Sequence, residues 1–143
     1  MIRSVITSAL LLLTALFISI SVTLAQSVRL KPEKKFIFFY NQAREQIKSN
    51  IEDAEMSMAE ALTYAKNNAQ KYTAYFLIAY INYQKKEYRK CINFYKKALQ
   101  FTTDLSRTVY IKNNIADIYL EIDDLKEATK YINDVIKQAR STE

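Results

Sequence analysis

The chain has 143 residues, half of them apolar, which is enough for one domain with its own core and too few for a multidomain enzyme. It contains no Gly and a single Pro, Pro32, so tight strand turns and glycine-rich phosphate loops are excluded and an all-α fold is expected. Without His it lacks the commonest acid/base group and metal ligand, and its net charge of +6 raises the question of an anionic partner.

Arg3 is the only charge ahead of an uncharged run of 22 residues from Ser4 to Ala25, which ends in Thr23-Leu24-Ala25. Residues 1–25 resemble a secretory signal peptide cleaved before Gln26, and their length also suits an uncleaved membrane anchor. No cysteine stands near the cleavage point, so lipid attachment there is excluded. Both readings place the remainder outside the cytoplasm, secreted or periplasmic, and the form of the signal suggests a bacterial envelope. Residues 26–33 read as a linker and residues 34–143 as the folded domain.

Apolar periodicity predicts six helices, over Glu33 to Lys48, Ile51 to Asn67, Lys71 to Lys85, Tyr88 to Phe101, Ser106 to Glu121 and Leu125 to Arg140. Asn50 with Asp53, and Asp124 with Glu127, have the spacing of a capping side chain and an acidic residue in the first turn. Cys91, the single thiol, cannot form an intrachain disulfide. Its spacing from Tyr88, Tyr95 and Ala98 puts it on an apolar helix face and predicts that it is core.

The second half of the chain superimposes on itself at a shift of 37 residues. Ile78, Ala79, Tyr88, Cys91, Tyr95, Ala98 and Leu99 fall on Ile115, Ala116, Leu125, Ala128, Ile132, Val135 and Ile136; shifting backwards reaches Ile51, Ala54, Met58, Ala61 and Leu62. Three helical hairpins follow. The second helix of each carries a small, large, small order: Ala54/Met58/Ala61, Cys91/Tyr95/Ala98 and Ala128/Ile132/Val135. Small residues let paired helices approach and large ones fill the groove between them.

On these residues the chain resembles the tetratricopeptide repeat family. The middle copy carries the resemblance through Tyr75, Ile78-Ala79, Tyr88, Cys91, Tyr95 and Ala98-Leu99, the last through Ile115-Ala116, Tyr119, Leu125, Ala128 and Ile132. The period exceeds the family's usual ~34, Asn82 stands where a Tyr is expected, and the closing proline is missing from every copy. The first copy fits only when Ala43 and Ile47 are slipped by one residue onto Ala79 and Tyr83. Over roughly Lys34 to Arg140 the resemblance implies a right-handed solenoid of about three helix-turn-helix hairpins, following the N-terminal signal or anchor helix.

No catalytic residue emerges. Glu52-Asp53 and Asp123-Asp124 are adjacent carboxylates at predicted turns, where capping explains them. No Glu and His pair exists for zinc or di-iron, and the serines lack a base, so neither an enzyme nor a cofactor or metal is expected. Charge is uneven: residues 26–50 carry +4, 51–70 carry −3, 71–102 carry +6 and 103–143 carry −2. Lys85, Lys86, Arg89, Lys90, Lys96 and Lys97 thus make the middle hairpin basic, a solvated face by default. Acidic flanks and the absence of a DNA-reading motif argue against nucleic acid.

In tetratricopeptide arrays the first helices line the concave surface, so the resemblance implies a groove drawn from Tyr40, Arg44, Phe76, Tyr80, Tyr83, Tyr110, Asn113 and Asp117. Aromatic residues are enriched at interfaces, although their spacing is equally that of rings packed between hairpins. The family's receptors for terminal carboxylates use a clamp of Lys, Arg and Asn; here only Arg44 and Asn113 match, which does not support that specificity. The expected function is a scaffold that binds a protein or peptide in this aromatic groove outside the cytoplasm. The alternative is the extracytoplasmic sensor part of a longer membrane-associated regulatory or envelope-assembly protein, because no polar helix caps the last hairpin. In a complete chain that uncapped end, with Val135 and Ile136, would instead pair with a second copy.

Overall fold

The computed structural model describes residues 30–140, together with residues 13–15, 17–18, 20–22 and 25 of the N-terminal segment. The described residues of that segment are helical, and the remainder of the expected signal or anchor, like residues 141–143, lies outside the described residues. Among the described residues, no helix is long and apolar enough to cross a membrane.

Over the described residues 30–140, six helices follow one another: α1 (Pro32–Gln46), α2 (Ile51–Thr63), α3 (Asn68–Gln84), α4 (Tyr88–Leu99), α5 (Leu105–Glu121) and α6 (Leu125–Arg140). They pair as three hairpins, α1 with α2, α3 with α4 and α5 with α6, and successive hairpins stack through α2 on α3 and α4 on α5. Pro32 opens α1 within its first turn, where a missing N–H costs nothing, so the helix begins inside the expected linker. Asn50 Oδ1 accepts from the N–H groups of Glu52 and Asp53 at 3.1 and 3.3 Å, and Asp124 Oδ1 accepts from the Glu127 N–H at 3.2 Å. The largest boundary difference from the sequence reading is at the end of α2, which stops at Thr63 instead of Asn67. Asn67 belongs to the next helix: its Oδ1 accepts from the Gln70 N–H at 2.9 Å, while Gln70 Oε1 accepts from the Lys66 N–H at 2.8 Å. That reciprocal cap fixes the start of α3.

Two of the hairpin turns are built alike without glycine. Lys86 and Asp123, one repeat apart, adopt φ of 58° and 60°. Around each, the helix ends in a Schellman arrangement. Lys86 N–H bonds to Tyr83 O and Glu87 N–H to Asn82 O, both at 2.9 Å; Asp123 N–H bonds to Leu120 O at 3.1 Å and Asp124 N–H to Tyr119 O at 2.8 Å. Asp tolerates the left-handed region better than Lys. Between α1 and α2, no described residue has positive φ. Ala43 stands one residue nearer to the N-cap of its following helix, Asn50, than Ala79 does to Glu87, and this is the slip that brings Ala43 into register with Ala79; both are fully buried.

The interior divides into two clusters that meet at α3. Phe36, Ala43, Ala54, Met58 and Ala61 pack with Ala74, Ile78 and Ile81 of α3, whereas Ala79 of the same helix joins Cys91, Ile92, Tyr95, Ala98, Ile111, Ile115 and Ile118. The small, large, small order is buried throughout in α2 and α4. In α6 only Ala128 is buried, and Ile132 and Ile136 remain 39% and 43% exposed because no further hairpin covers them among the described residues. Asn82, which replaces the family's Tyr, is buried and folds back to donate from Nδ2 to Ile78 O at 2.8 Å. Lys85 at the C-cap of α3 reaches Glu55 of α2 at 2.6 Å and links the first two hairpins.

Two outcomes follow from these packing details. Lys86→Gly removes the cost of a Cβ in the left-handed region, and after the added entropy of the unfolded chain it is expected to gain about 0.5–1 kcal/mol; a urea midpoint unchanged or lowered would contradict this. Burial pushes the Cys91 thiol up from 9.0 to about 12 and moves the Tyr95 phenol in the same direction. The unfolded chain therefore releases the thiol proton first, so this contribution to stability is intact below about pH 9 and is lost as pH rises toward 12. Unfolding midpoints between pH 8 and 11 should fall less steeply in Cys91→Ala, which introduces the residue found at Ala54 and Ala128; parallel slopes would remove the assignment.

Candidate functional site

Helix geometry sets the face from which the site is made. Positions one turn and two turns apart share a side of a helix, so Phe76, Leu77, Tyr80 and Tyr83 of α3 lie along one stripe, and Tyr110, Asn114, Asp117 and Ile118 of α5 along another. The two stripes, with Tyr95 of α4, enclose a cavity of about 450 Å³. Its floor is closed: Tyr95 and Ile118 are buried. Its walls are open, with Tyr80, Tyr83 and Tyr110 exposed.

The rings support one another. Phe76 stands 5.5 Å from Tyr95 and 5.9 Å from Tyr110, both tilted, and stacks on Tyr72 at 6.0 Å. These are separations at which aromatic pairs attract beyond the area they bury. Burial holds the Tyr95 phenol protonated well above the ordinary range, only weakly opposed by a hydrogen bond with Asn114. At the far end Tyr83 and Tyr88 lie 6.0 Å apart and both address Glu121 of α5; Tyr88 Oη donates to its carboxylate at 3.2 Å. The Glu121 charge, with a hydrogen bond, raises the Tyr83 phenol above its usual value. These contacts tie all three helices at one end of the cavity.

Five residues expected on a groove, Phe76, Tyr80, Tyr83, Tyr110 and Asp117, are therefore brought to one cavity. Tyr40 and Arg44 are not. Tyr40 stacks on Phe36 at 6.0 Å against the first core, and the Arg44 guanidinium lies 5.7 Å over its ring, so the pair closes on itself along α1. Asn113 is exposed outside the cavity lining, and its neighbour Asn114, turned by about 100°, takes that place. Sequence reasoning also missed Tyr95, Leu77 and Ile118. Tyr95 was recognisable only as the large member of a packing triad, and nothing in its spacing indicates that it also forms the floor of a cavity.

The basic cluster of the middle hairpin is largely engaged within the molecule. Lys85 pairs with Glu55, Lys90 with Glu87, Lys96 lies 6.0 Å over Tyr131, and Lys97 lies 5.0 Å over Phe94 and 5.7 Å over Tyr75. A cleft of about 580 Å³ does run beside the hairpin turns, between Lys86, Arg89 and Lys90 on one side and Ile122 and Asp124 on the other. It is larger than the aromatic cavity, but it mixes both charge signs and Asp124 within it is used as a helix cap. The remaining adjacent carboxylates have the same kind of use: Asp53 accepts from the Asn50 side-chain amide at 2.9 Å at the head of α2.

Residues 72–104 and 109–142 match the tetratricopeptide repeat family. These segments fall on the second and third hairpins. Comparison with curated proteins finds no match. Among solved structures, the chain is similar to the crystal structure of the tetratricopeptide repeat domain of Arabidopsis FLU, with a TM-score of 0.66 and 19% identity over 78% of this chain and 99% of that one. The architecture is accordingly that of stacked helical hairpins as in a tetratricopeptide repeat domain.

Proposed function

We propose that this is a tetratricopeptide repeat protein that serves as an interaction scaffold, holding a peptide segment of a partner protein in the cavity between α3 and α5. The observation that carries the reading is the cavity itself. Phe76, Tyr80, Tyr83 and Tyr110 converge on it from two helices, and three of these rings remain exposed over a buried floor. Large rigid rings give up little conformational entropy when a ligand covers them, which makes such a surface more favourable for binding than for contact with water. Phe76 and Tyr83 support the packing, so the variant that isolates binding has the exposed Tyr80 and Tyr110 changed to Ala. Captured from the envelope fraction of its native host, the tagged full chain should retain a partner that this variant loses while its helical circular dichroism is unchanged; equal capture by both proteins would refute the groove.

The scaffold works outside the cytoplasm in this reading, on the strength of the apolar run from Ser4 to Ala25 behind Arg3. An alkaline phosphatase fused after residue 143 should be active, because that reporter needs export to form its disulfides. An inactive fusion that is nonetheless expressed would contradict export. N-terminal sequencing of the exported product separates cleavage before Gln26 from retention as an anchor.

A further inference from the structure

We propose that the cavity between α3 and α5 recognises a cation, namely an Arg or Lys side chain presented by the bound peptide; this rests on the groove reading above and names the chemistry of its occupant. The lining is one-sided in charge. Among the described residues, five aromatic rings and the Asn114 amide surround it, Asp117 is its only charged residue, and no Lys or Arg contributes. Asp117 is exposed and forms no ion pair among the described residues. An unpaired carboxylate beside π faces attracts a cation in two ways at once, by charge and through the ring quadrupoles.

The protein's own surface shows what its rings do where a cation is available. Arg44 lies over Tyr40 at 5.7 Å, Arg107 over Tyr72 at 4.7 Å, Lys96 over Tyr131 at 6.0 Å and Lys97 over Phe94 at 5.0 Å. None of the rings that line the cavity is served in this way among the described residues. Arg107 is instructive, since it stands one turn before Tyr110 on α5 yet turns to Tyr72, just beyond the Phe76 ring. The neighbouring aromatic position is thus filled from within, and the next along the groove, toward Asp117, is left for a ligand. The net positive charge of the chain does not oppose this locally, because Lys85, Lys90, Lys96 and Lys97 are held by carboxylates or rings outside the cavity.

Selection of a random dodecapeptide phage library on the immobilised full chain tests the idea. The expected result is enrichment of peptides with Arg or Lys at one fixed position beside apolar residues. The recovered peptide should bind about tenfold more weakly to Asp117→Asn, which is isosteric and exposed, and the same loss should follow when its basic residue is changed to norleucine. Peptides that lack a basic residue and are indifferent to Asp117→Asn, yet are lost in Tyr80→Ala or Tyr110→Ala, would overturn the cation and leave the groove standing. Peptides unaffected by all three substitutions, or no enrichment, would overturn both.

Discussion

The helix α3 is wedged between two cores, and the rest of the structure depends on that placement. Its Ala74, Ile78 and Ile81 complete the cluster built from α1 and α2, while Ala79 one step round the helix completes the cluster of α4 and α5. A helix buried on two sides has little surface left for a polar stripe, and along its second half Tyr80 and Tyr83 are what remains exposed ahead of Gln84. Rotating α3 to improve either interface would spoil the other, so the direction in which Phe76, Tyr80 and Tyr83 point is set by packing. Ion pairing adds to this at the C-terminal end of α3, where Lys85 holds Glu55 of the preceding hairpin.

Repetition does the remaining positioning. Because α5 repeats the burial pattern of α3 one unit later, with Ile115 and Ala116 matching Ile78 and Ala79, its exposed stripe faces the same way and the two stripes can share a cavity. The turns between paired helices keep this register without glycine, by holding Lys86 and Asp123 in the left-handed region at equivalent points. Such residues are unfavourable there in isolation, and persist because two hydrogen bonds and the packing of both helices over-determine the turn. Between α1 and α2 no described residue enters that region, and the first hairpin, with Ala43 one residue nearer its following N-cap, is out of phase with the other two.

Electrostatics in this molecule is mostly local. The charge that looks like a basic patch along the sequence dissolves on folding into pairs of Lys with Glu and Lys or Arg with an aromatic face. Each such contact is individually modest at an exposed site. Among the described residues, the rings that line the aromatic cavity have no cation over them and its one carboxylate, Asp117, has no ion pair.

The sequence by itself determined the elements and their order. Absence of Gly dictated helices, the capping spacing at Asn50 and Asp124 located two starts, and a shift of 37 residues divided the chain into hairpins, because each of these is written in local backbone preference and periodic burial. It even contained the single-residue slip at Ala43, though not the turn without a left-handed residue that accompanies it. Local spacing also misassigned Asn67, whose role depends on its bond to Gln70 rather than on the apolar pattern before it. What only the tertiary structure decided is which rings meet. Tyr40 and Tyr80 read alike along the chain, yet one closes against Phe36 and Arg44 and the other opens on a cavity completed by α4 and α5. Helical periodicity places a residue on a face; whether that face is covered depends on the neighbouring hairpin, and that is a property of the stack.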